Sequence, residues 1–290
     1  MSHAAAVLLP GLLAAALLAD VVSATHIESP CPVPEASRRV LDLAVAGLTL
    51  ARCVQADLDA GRWSTAAARL AAAQEAAVLL SPADRAEWER LIVRWQATRL
   101  ADGGQWATLA TETLPLEYRL PWVGPLIRGV AAARASWARQ DSALQARARE
   151  ELARLTQLSR AAGSVSEEER ARLMVQGAMA GAQYERDEMQ FLLEAAHDLE
   201  TRLLAHDELR VPVVLALELE ADLLRITGRY AAASQRYRDL LVERPRRVQS
   251  RIGLADAYRR LGFTREADET LAQARELWAS ADADAKAQIK

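Results

Sequence analysis

A pattern of small and large apolar residues recurs after 34 residues in the last third of the chain, and it limits the possible folds strongly. The first copy has an apolar helical stretch over 211–226, a turn at Gly228, and a second helix that stops at Pro245. The second copy repeats the turn at Gly262. Such a recurrence predicts stacked helix pairs, because one pair alone cannot bury its apolar face.

The composition favours helices throughout. Alanine, leucine and arginine dominate, and aromatic residues make up only 5% of the chain. These are helix-forming residues, and strands prefer β-branched and aromatic ones. Helical spacing of apolar residues predicts further helices over 125–139, 143–160 and 166–205, and Ser166 with Glu169 forms a capping box at the start of the last. We therefore predict an all-α fold with almost no sheet.

The two C-terminal units resemble the tetratricopeptide repeat. The family's signature positions fall on Leu217, Ala221, Leu224, Ala233, Tyr237, Leu240 and Pro245 in the first unit, and on Leu254, Ala255, Tyr258, Ala267, Leu271 and Ala274 in the second. Glu220 and Arg251 depart from the family pattern. Gly61-Arg62-Trp63 and Gly104-Gln105-Trp106 look like further turns of this kind. The resemblance implies a right-handed superhelical solenoid of about six antiparallel helix pairs over residues 35–279.

The resemblance also implies a binding surface. In tetratricopeptide proteins the first helix of each repeat lines a concave face that holds protein or peptide partners. By position, the residues on that face here are Glu218, Asp222, Arg225, Ile252, Asp256, Arg259 and Arg260. Its arginines suit a carboxylate, which a guanidinium binds with two parallel hydrogen bonds. The alternative is that these charges only pair along and between helices and keep the surface soluble.

The N-terminal residues predict export. Residues 4–19 are apolar apart from Pro10 and Gly11, and small residues follow at 22–24, so we predict a signal peptide over 1–24 and a proline-rich lead segment over 25–34. The alternatives are a core helix or a membrane anchor, but Pro10 and Asp20 interrupt the run and disfavour a stable span. Cys31 and Cys53 are the only cysteines, and in an oxidising compartment they are expected to form a disulfide; the alternative is two unrelated thiols.

Several functional classes are disfavoured. The 36 basic and 39 acidic residues are interspersed, which leaves no basic stripe for nucleic acid. Phosphate-binding loops and nucleophile motifs are missing from the sequence, so we predict no enzyme activity and no cofactor. Glu194 and His197 form one Glu-x-x-His step, whereas a di-iron bundle needs two, so we predict no metal site. The polar residues 280–290 are expected to be a flexible tail.

These features together predict a non-enzymatic scaffold or adaptor for protein–protein interaction. Export to a bacterial periplasm, where it would organise an envelope protein assembly, is the favoured setting because of the predicted signal peptide. The arginine-rich and lysine-poor composition is typical of a GC-rich bacterial genome. The alternative is a cytoplasmic regulatory or signalling module of the same repeat type, binding a peptide or a small ligand.

Overall fold

The computed structural model describes residues 43–104, 106–111, 113, 115, 117–139, 141–207 and 211–289. The predicted signal peptide over 1–24, the proline-rich lead segment over 25–34 with Cys31, and residues 35–42 of the predicted repeat domain lie outside these residues. Within them the chain is helical and contains no strand, which confirms the predicted all-α class. Among the described helices, none combines the length and apolar character that crossing a bilayer requires.

The helices follow one another with short connections. They are α1 (Leu43–Asp59), α2 (Trp63–Ala77), α3 (Pro82–Gly103), α4 (Trp106–Leu109), α5 (Val123–Arg139), α6 (Ser142–Ala162), α7 (Glu167–Ala182), α8 (Arg186–His206), α9 (Ala216–Ile226), α10 (Tyr230–Glu243), α11 (Val248–Arg260), α12 (Thr264–Leu277) and α13 (Ala283–Lys286), with a 3₁₀ turn at Glu117–Arg119.

Helix contacts follow a regular order. Apart from α3 and α4, consecutive helices from α1 to α12 pack against each other, and each odd-numbered helix from α1 to α9 also packs against the next odd-numbered helix. The turn glycines Gly228 and Gly262 have φ values of 80° and 83°, in a region that side chains other than glycine disfavour. The predicted turns therefore form where the repeat pattern indicates them.

Small residues permit the close packing of the last two pairs. Ala221, Ala233, Ala255 and Ala267 are each at most 1% exposed. Gly253 on α11 lies so close to α10 that an added Cβ would stand 2.3 Å from the Tyr237 ring. Helices approach this closely only where side chains are short.

One predicted helix is in fact two. The apolar spacing predicts a single helix over 166–205, but α7 ends at Ala182 and α8 begins at Arg186. Tyr184 lies between them with a φ of 64°, in the left-handed region. The chain folds back there because α7 offers a glycine face, where a Cβ on Gly177 would stand 2.8 Å from Leu193 of α8. The prediction was wrong because apolar spacing continues through the turn.

The two ends of the described chain meet. The indole Nε1–H of Trp278, just after α12, donates to the carbonyl of Asp59 at 3.0 Å, and its ring packs edge-on against Trp63 with centroids 5.8 Å apart. Further along, the backbone N–H of Asp282 donates to the carbonyl of Gly61 at 3.0 Å. The helix array is therefore closed by contacts between α12–α13 and the turn that joins α1 to α2.

The C-terminal residues take part in this closure. Residues 280–290 were expected to be a flexible tail, yet Ala281 and Ala285 are 7% and 0% exposed. The side chain of Gln288 donates to the carbonyl of Gly103 at 3.2 Å. This differs from the expectation because alanines that look featureless in sequence fit between the first and last helix pairs.

Candidate functional site

A charged cavity of about 500 Å³ lies beside α9 and α11. We call it the α9–α11 cavity. Its wall includes all seven residues that the sequence places on a concave face, namely Glu218, Asp222, Arg225, Ile252, Asp256, Arg259 and Arg260. The side chains reach one cavity because α9 and α11 are consecutive odd-numbered helices in direct contact. Trp106 of α4 and Gln288 also contribute to the wall.

The inner part of this cavity is a fixed ion-pair network. Asp222 accepts a hydrogen bond from the hydroxyl of Tyr237 and pairs with Arg134 of α5 at 2.7 Å. Arg225 donates to Asp256 at 2.9 Å and to the Tyr237 hydroxyl at 3.2 Å. These contacts join α5, α9, α10 and α11, so Asp222 and Arg225 hold the wall together.

Electrostatics agree with that structural role. Burial alone would raise the pKa of Asp222, but Arg134 and Arg225 outweigh it and lower the pKa below its usual value. Burial, reinforced by the neighbouring Asp222 carboxylate, raises the pKa of Tyr237 well above 10.0. The carboxylate is therefore held ionised and the phenol neutral, which is the pair of states that their hydrogen bond requires.

The outer part of the cavity is accessible. The side chains of Asp256, Arg259 and Arg260 are 39%, 44% and 62% exposed. Arg260 lies 3.9 Å from Asp256 and Arg259 lies 3.5 Å from Asp268, which are loose pairs that a partner can replace at little cost. Ile252 is half-buried among them and supplies an apolar contact. These four residues form the accessible part of the cavity wall.

Arg247 bounds the cavity from the loop between α10 and α11, and its role could not be predicted from the sequence. It donates to both carboxylate oxygens of Glu218, and its Nη2 donates to Asp102 of α3 at 2.6 Å. Ser250 also donates to Glu218, at 2.5 Å. Asp102 and Arg247 are 145 residues apart in sequence, so no local pattern could have paired them.

Asp102 is an unusual member of this network. It is 3% exposed, and its Oδ2 has no hydrogen-bond partner among the described residues. Burial raises the pKa of Asp102 above its usual value, although Arg247 acts in the opposite direction. Burying a carboxylate with one oxygen unsatisfied is costly, and Arg247 is what offsets that cost.

Two further cavities are connected to the α9–α11 cavity through shared lining residues. A bridging cavity of about 180 Å³ shares Asp102 and Arg247 with the α9–α11 cavity. It also shares Asp59 and Arg244 with a larger space of about 740 Å³ beside α1, which we call the α1 cavity. The loop between α10 and α11 thus separates two larger cavities and contributes arginines to both.

The Glu-x-x-His step of α8 is used in ion pairs. Glu194 pairs with Arg236, and His197 lies 3.4 Å from Glu243 and 3.7 Å from Glu200. Its interaction with Glu200 raises the pKa of His197 above 6.5. Within the part of the chain that the structure describes, no cluster of three or more His, Cys, Asp or Glu side chains could hold a metal ion.

The comparison with protein-family models finds no match to this chain. The comparisons with curated proteins and with solved structures likewise find no match.

Proposed function

We propose that this chain is a non-enzymatic scaffold of the tetratricopeptide type that holds an extended segment of a partner protein in the α9–α11 cavity. The observation that carries the proposal is that all seven residues chosen by repeat position line that single cavity. The contacts between successive odd-numbered helices, and the buried alanines at the repeat positions, support a solenoid-like stacking of helix pairs.

The chemistry of the cavity favours a peptide. Its volume of about 500 Å³ falls in the range of ligand sites and accommodates a few residues of extended chain. The exposed Arg259 and Arg260 offer charge to a carboxylate, Asp256 offers an acceptor, and Ile252 offers an apolar surface. A segment with an acidic and an aliphatic side chain complements this set.

We further propose that the protein works in a bacterial periplasm and organises an envelope assembly there. The proposal rests on the N-terminal sequence and on the two cysteines. Cys53 lies in α1 and is 3% exposed, while Cys31 lies outside the described residues. Intact mass measurement of the native protein should show the loss of about 24 residues and of two hydrogens. An intact N-terminus with two thiols would point instead to a cytoplasmic module.

The binding proposal is tested by site-specific crosslinking. A photo-crosslinking residue at Ile252, in the cavity, should capture a partner that mass spectrometry then identifies. The same residue at Val242, which is 84% exposed and outside all three cavities, should not capture that partner. Arg225 is left unchanged, because its reversal would break the buried network and unfold the wall.

Charge reversal completes the test. Arg259→Glu with Arg260→Glu should weaken capture by about tenfold or more, since both charges would then repel an acidic segment. The matched control is Arg149→Glu with Arg265→Glu, two exposed arginines outside the three cavities. Helical circular dichroism should be the same for both double variants. Equal capture by the two would rule out the α9–α11 cavity as the partner site.

A further inference from the structure

The α1 cavity has a strongly positive wall. Arg52, Arg62, Arg244 and Arg246 line it, against a single acidic lining residue, Asp59. Its volume of about 740 Å³ is large enough for a small organic molecule. The remaining lining is mainly apolar, with Leu48, Ala51, Ala56, Trp95, Val211 and Leu277. The cavity therefore combines positive charge with an apolar surface.

Two of these arginines have no partner. Arg244 and Arg246 make no ion pair and no side-chain hydrogen bond within the described part of the chain. Several arginines with little exposure are paired with a carboxylate at short distance, as in Arg62 with Asp57 at 2.6 Å and Arg247 with Asp102 at 2.6 Å. Arg244 is half-buried and Arg246 is exposed, so both guanidiniums at this cavity are open to a ligand.

Trp95 also lines this cavity. Trp95 of α3 is 1% exposed, and its indole Nε1–H has no hydrogen-bond partner among the described residues. Indole nitrogen only donates, and buried donors are normally paired. The indole nitrogen has almost no accessible surface, so Trp95 contributes its ring to the cavity wall, and the guanidiniums are the donors that a ligand can reach.

The loop that carries the arginines is held in place. The carbonyl of Arg244 accepts the backbone N–H of Arg247 at 3.0 Å, which closes a turn around Pro245. Arg251 donates to the Pro245 carbonyl at 2.6 Å, and Arg247 is fixed by its carboxylates. A loop held in this way presents its guanidiniums without a large loss of entropy on binding.

The acids near this site are already engaged. Asp59 accepts a hydrogen bond from Gln55 at 2.8 Å, and burial raises its pKa, although Gln55 and the positive charges of Arg247, Arg246 and Arg244 act in the opposite direction. In the adjoining bridging cavity, Asp102 is bound by Arg247 and Glu243 faces His197. None of them is paired with Arg244 or Arg246.

We propose that the α1 cavity binds a small dianion with an apolar body, its head held by Arg244 and Arg246 and its body lying against the apolar wall beside Trp95. Two unpaired guanidiniums match two negative charges, and the planar fork of arginine fits phosphate and carboxylate equally. The shared chemistry is thus a phosphate monoester or a dicarboxylate. This site is separate from the α9–α11 cavity and does not depend on the peptide proposal.

Calorimetric titration of the full chain in a buffer free of phosphate tests the site. Phenyl phosphate and phthalate are the two probes, and they distinguish a phosphate head from a dicarboxylate head. At least one of them should bind with a dissociation constant below about 1 mM and more weakly as salt is added. Benzyl alcohol, which has the same apolar body without charge, should bind at least about tenfold more weakly.

Variants assign the binding to the two arginines. Arg244→Gln with Arg246→Gln should weaken binding of the probe by about tenfold or more while changing the melting temperature little, because neither side chain forms an ion pair or a hydrogen bond among the described residues. Arg149→Gln with Arg265→Gln should leave affinity as it is. The site is refuted if neither probe binds at about 10 mM, if benzyl alcohol binds as tightly, or if the Arg244/Arg246 variant retains full affinity.

Discussion

Gly61→Ala is the sharpest test of the contact between the two ends of the chain. Gly61 has a φ of 68°, and a Cβ added there would stand 2.7 Å from the Cβ of Ala281 and 3.0 Å from the Trp278 ring. Gly228→Ala is the matched control. Gly228 also has a left-handed φ, of 80°, but its added Cβ would meet nothing within 4 Å. The two variants share the backbone strain and differ only in the collision.

The expected magnitudes follow from these two terms. Placing alanine at a left-handed φ destabilises the folded state by about 1–2 kcal/mol. Alanine also lowers the conformational entropy of the unfolded chain, which stabilises the protein by about 0.4–1 kcal/mol. Gly228→Ala should therefore lower the free energy of unfolding by about 1 kcal/mol. Overpacking adds about 1–3 kcal/mol at Gly61, so Gly61→Ala should lower it by about 2–4 kcal/mol.

The same magnitudes indicate how the protein relieves the collision. Releasing Trp278 would expose about 200 Å² of apolar surface, worth about 5 kcal/mol, which exceeds the overpacking term. Releasing only residues 280–289 is cheaper, because Ala281 and Ala285 are its main buried side chains. We therefore expect Trp278 to stay in place and the segment after it to open more often.

Hydrogen exchange measures that opening directly. The amide of Asp282, which donates to Gly61, and those of Lys286 and Ala287 in and after α13 should exchange about tenfold faster or more in Gly61→Ala. In Gly228→Ala they should exchange as in the parent chain. Equal losses of stability in urea unfolding, together with unchanged exchange over 280–289, would refute the closed arrangement of the helix array.

Two further predictions concern buried charge. Arg247→Leu should lower the free energy of unfolding by about 3–5 kcal/mol in urea titrations, because it leaves Asp102 and Glu218 without their shared cation; a loss below about 1 kcal/mol would contradict the network. The folded-state pKa of His197 is raised above 6.5, so its charged form stabilises the fold below pH 6.5 and that stability is lost as pH rises through the folded pKa. As pH rises from 6.5 through the folded-state pKa, the free energy of unfolding of the parent chain should fall relative to that of His197→Gln. If the free energies of unfolding of the two proteins change in parallel with pH, the ion pairs with Glu200 and Glu243 are contradicted.

Local features of the fold could be predicted from sequence because they depend on near neighbours. The turns at Gly228 and Gly262 require a left-handed φ that glycine supplies without strain. The cap at Ser166 forms as its spacing to Glu169 indicates, with the backbone N–H of Glu169 donating to the Ser166 hydroxyl at 3.1 Å. The seven charged and aliphatic residues that the resemblance to the tetratricopeptide repeat places on one face line one cavity.

Contacts between distant residues could not be predicted in this way. Asp102 meets Arg247 across 145 residues, and Trp278 meets Asp59 across 219. In a chain with 36 basic and 39 acidic residues spread evenly, every arginine has many possible partners, so sequence alone does not select one. The turn at Tyr184 was not predicted for another reason. Tyrosine rarely adopts a left-handed φ, so its presence does not indicate a turn.

One departure from the repeat pattern, Glu220, has a physical explanation in a buried ion pair. Glu220 stands where a large apolar residue is usual, and it is fully buried with Arg236 of α10 at 2.8 Å and Gln190 of α8 at 3.1 Å. Comparable buried pairs join other helices, as with Arg170 of α7 and Glu200 of α8 at 2.8 Å.

Such pairs contribute little net stability, because desolvation offsets their attraction, but breaking one is costly. A misplaced helix would leave a buried charge alone, whereas alanine and leucine surfaces tolerate many registers. We infer that the ion pairs select one stacking of these helices, and that this role, rather than solubility, explains why so many arginines point inward.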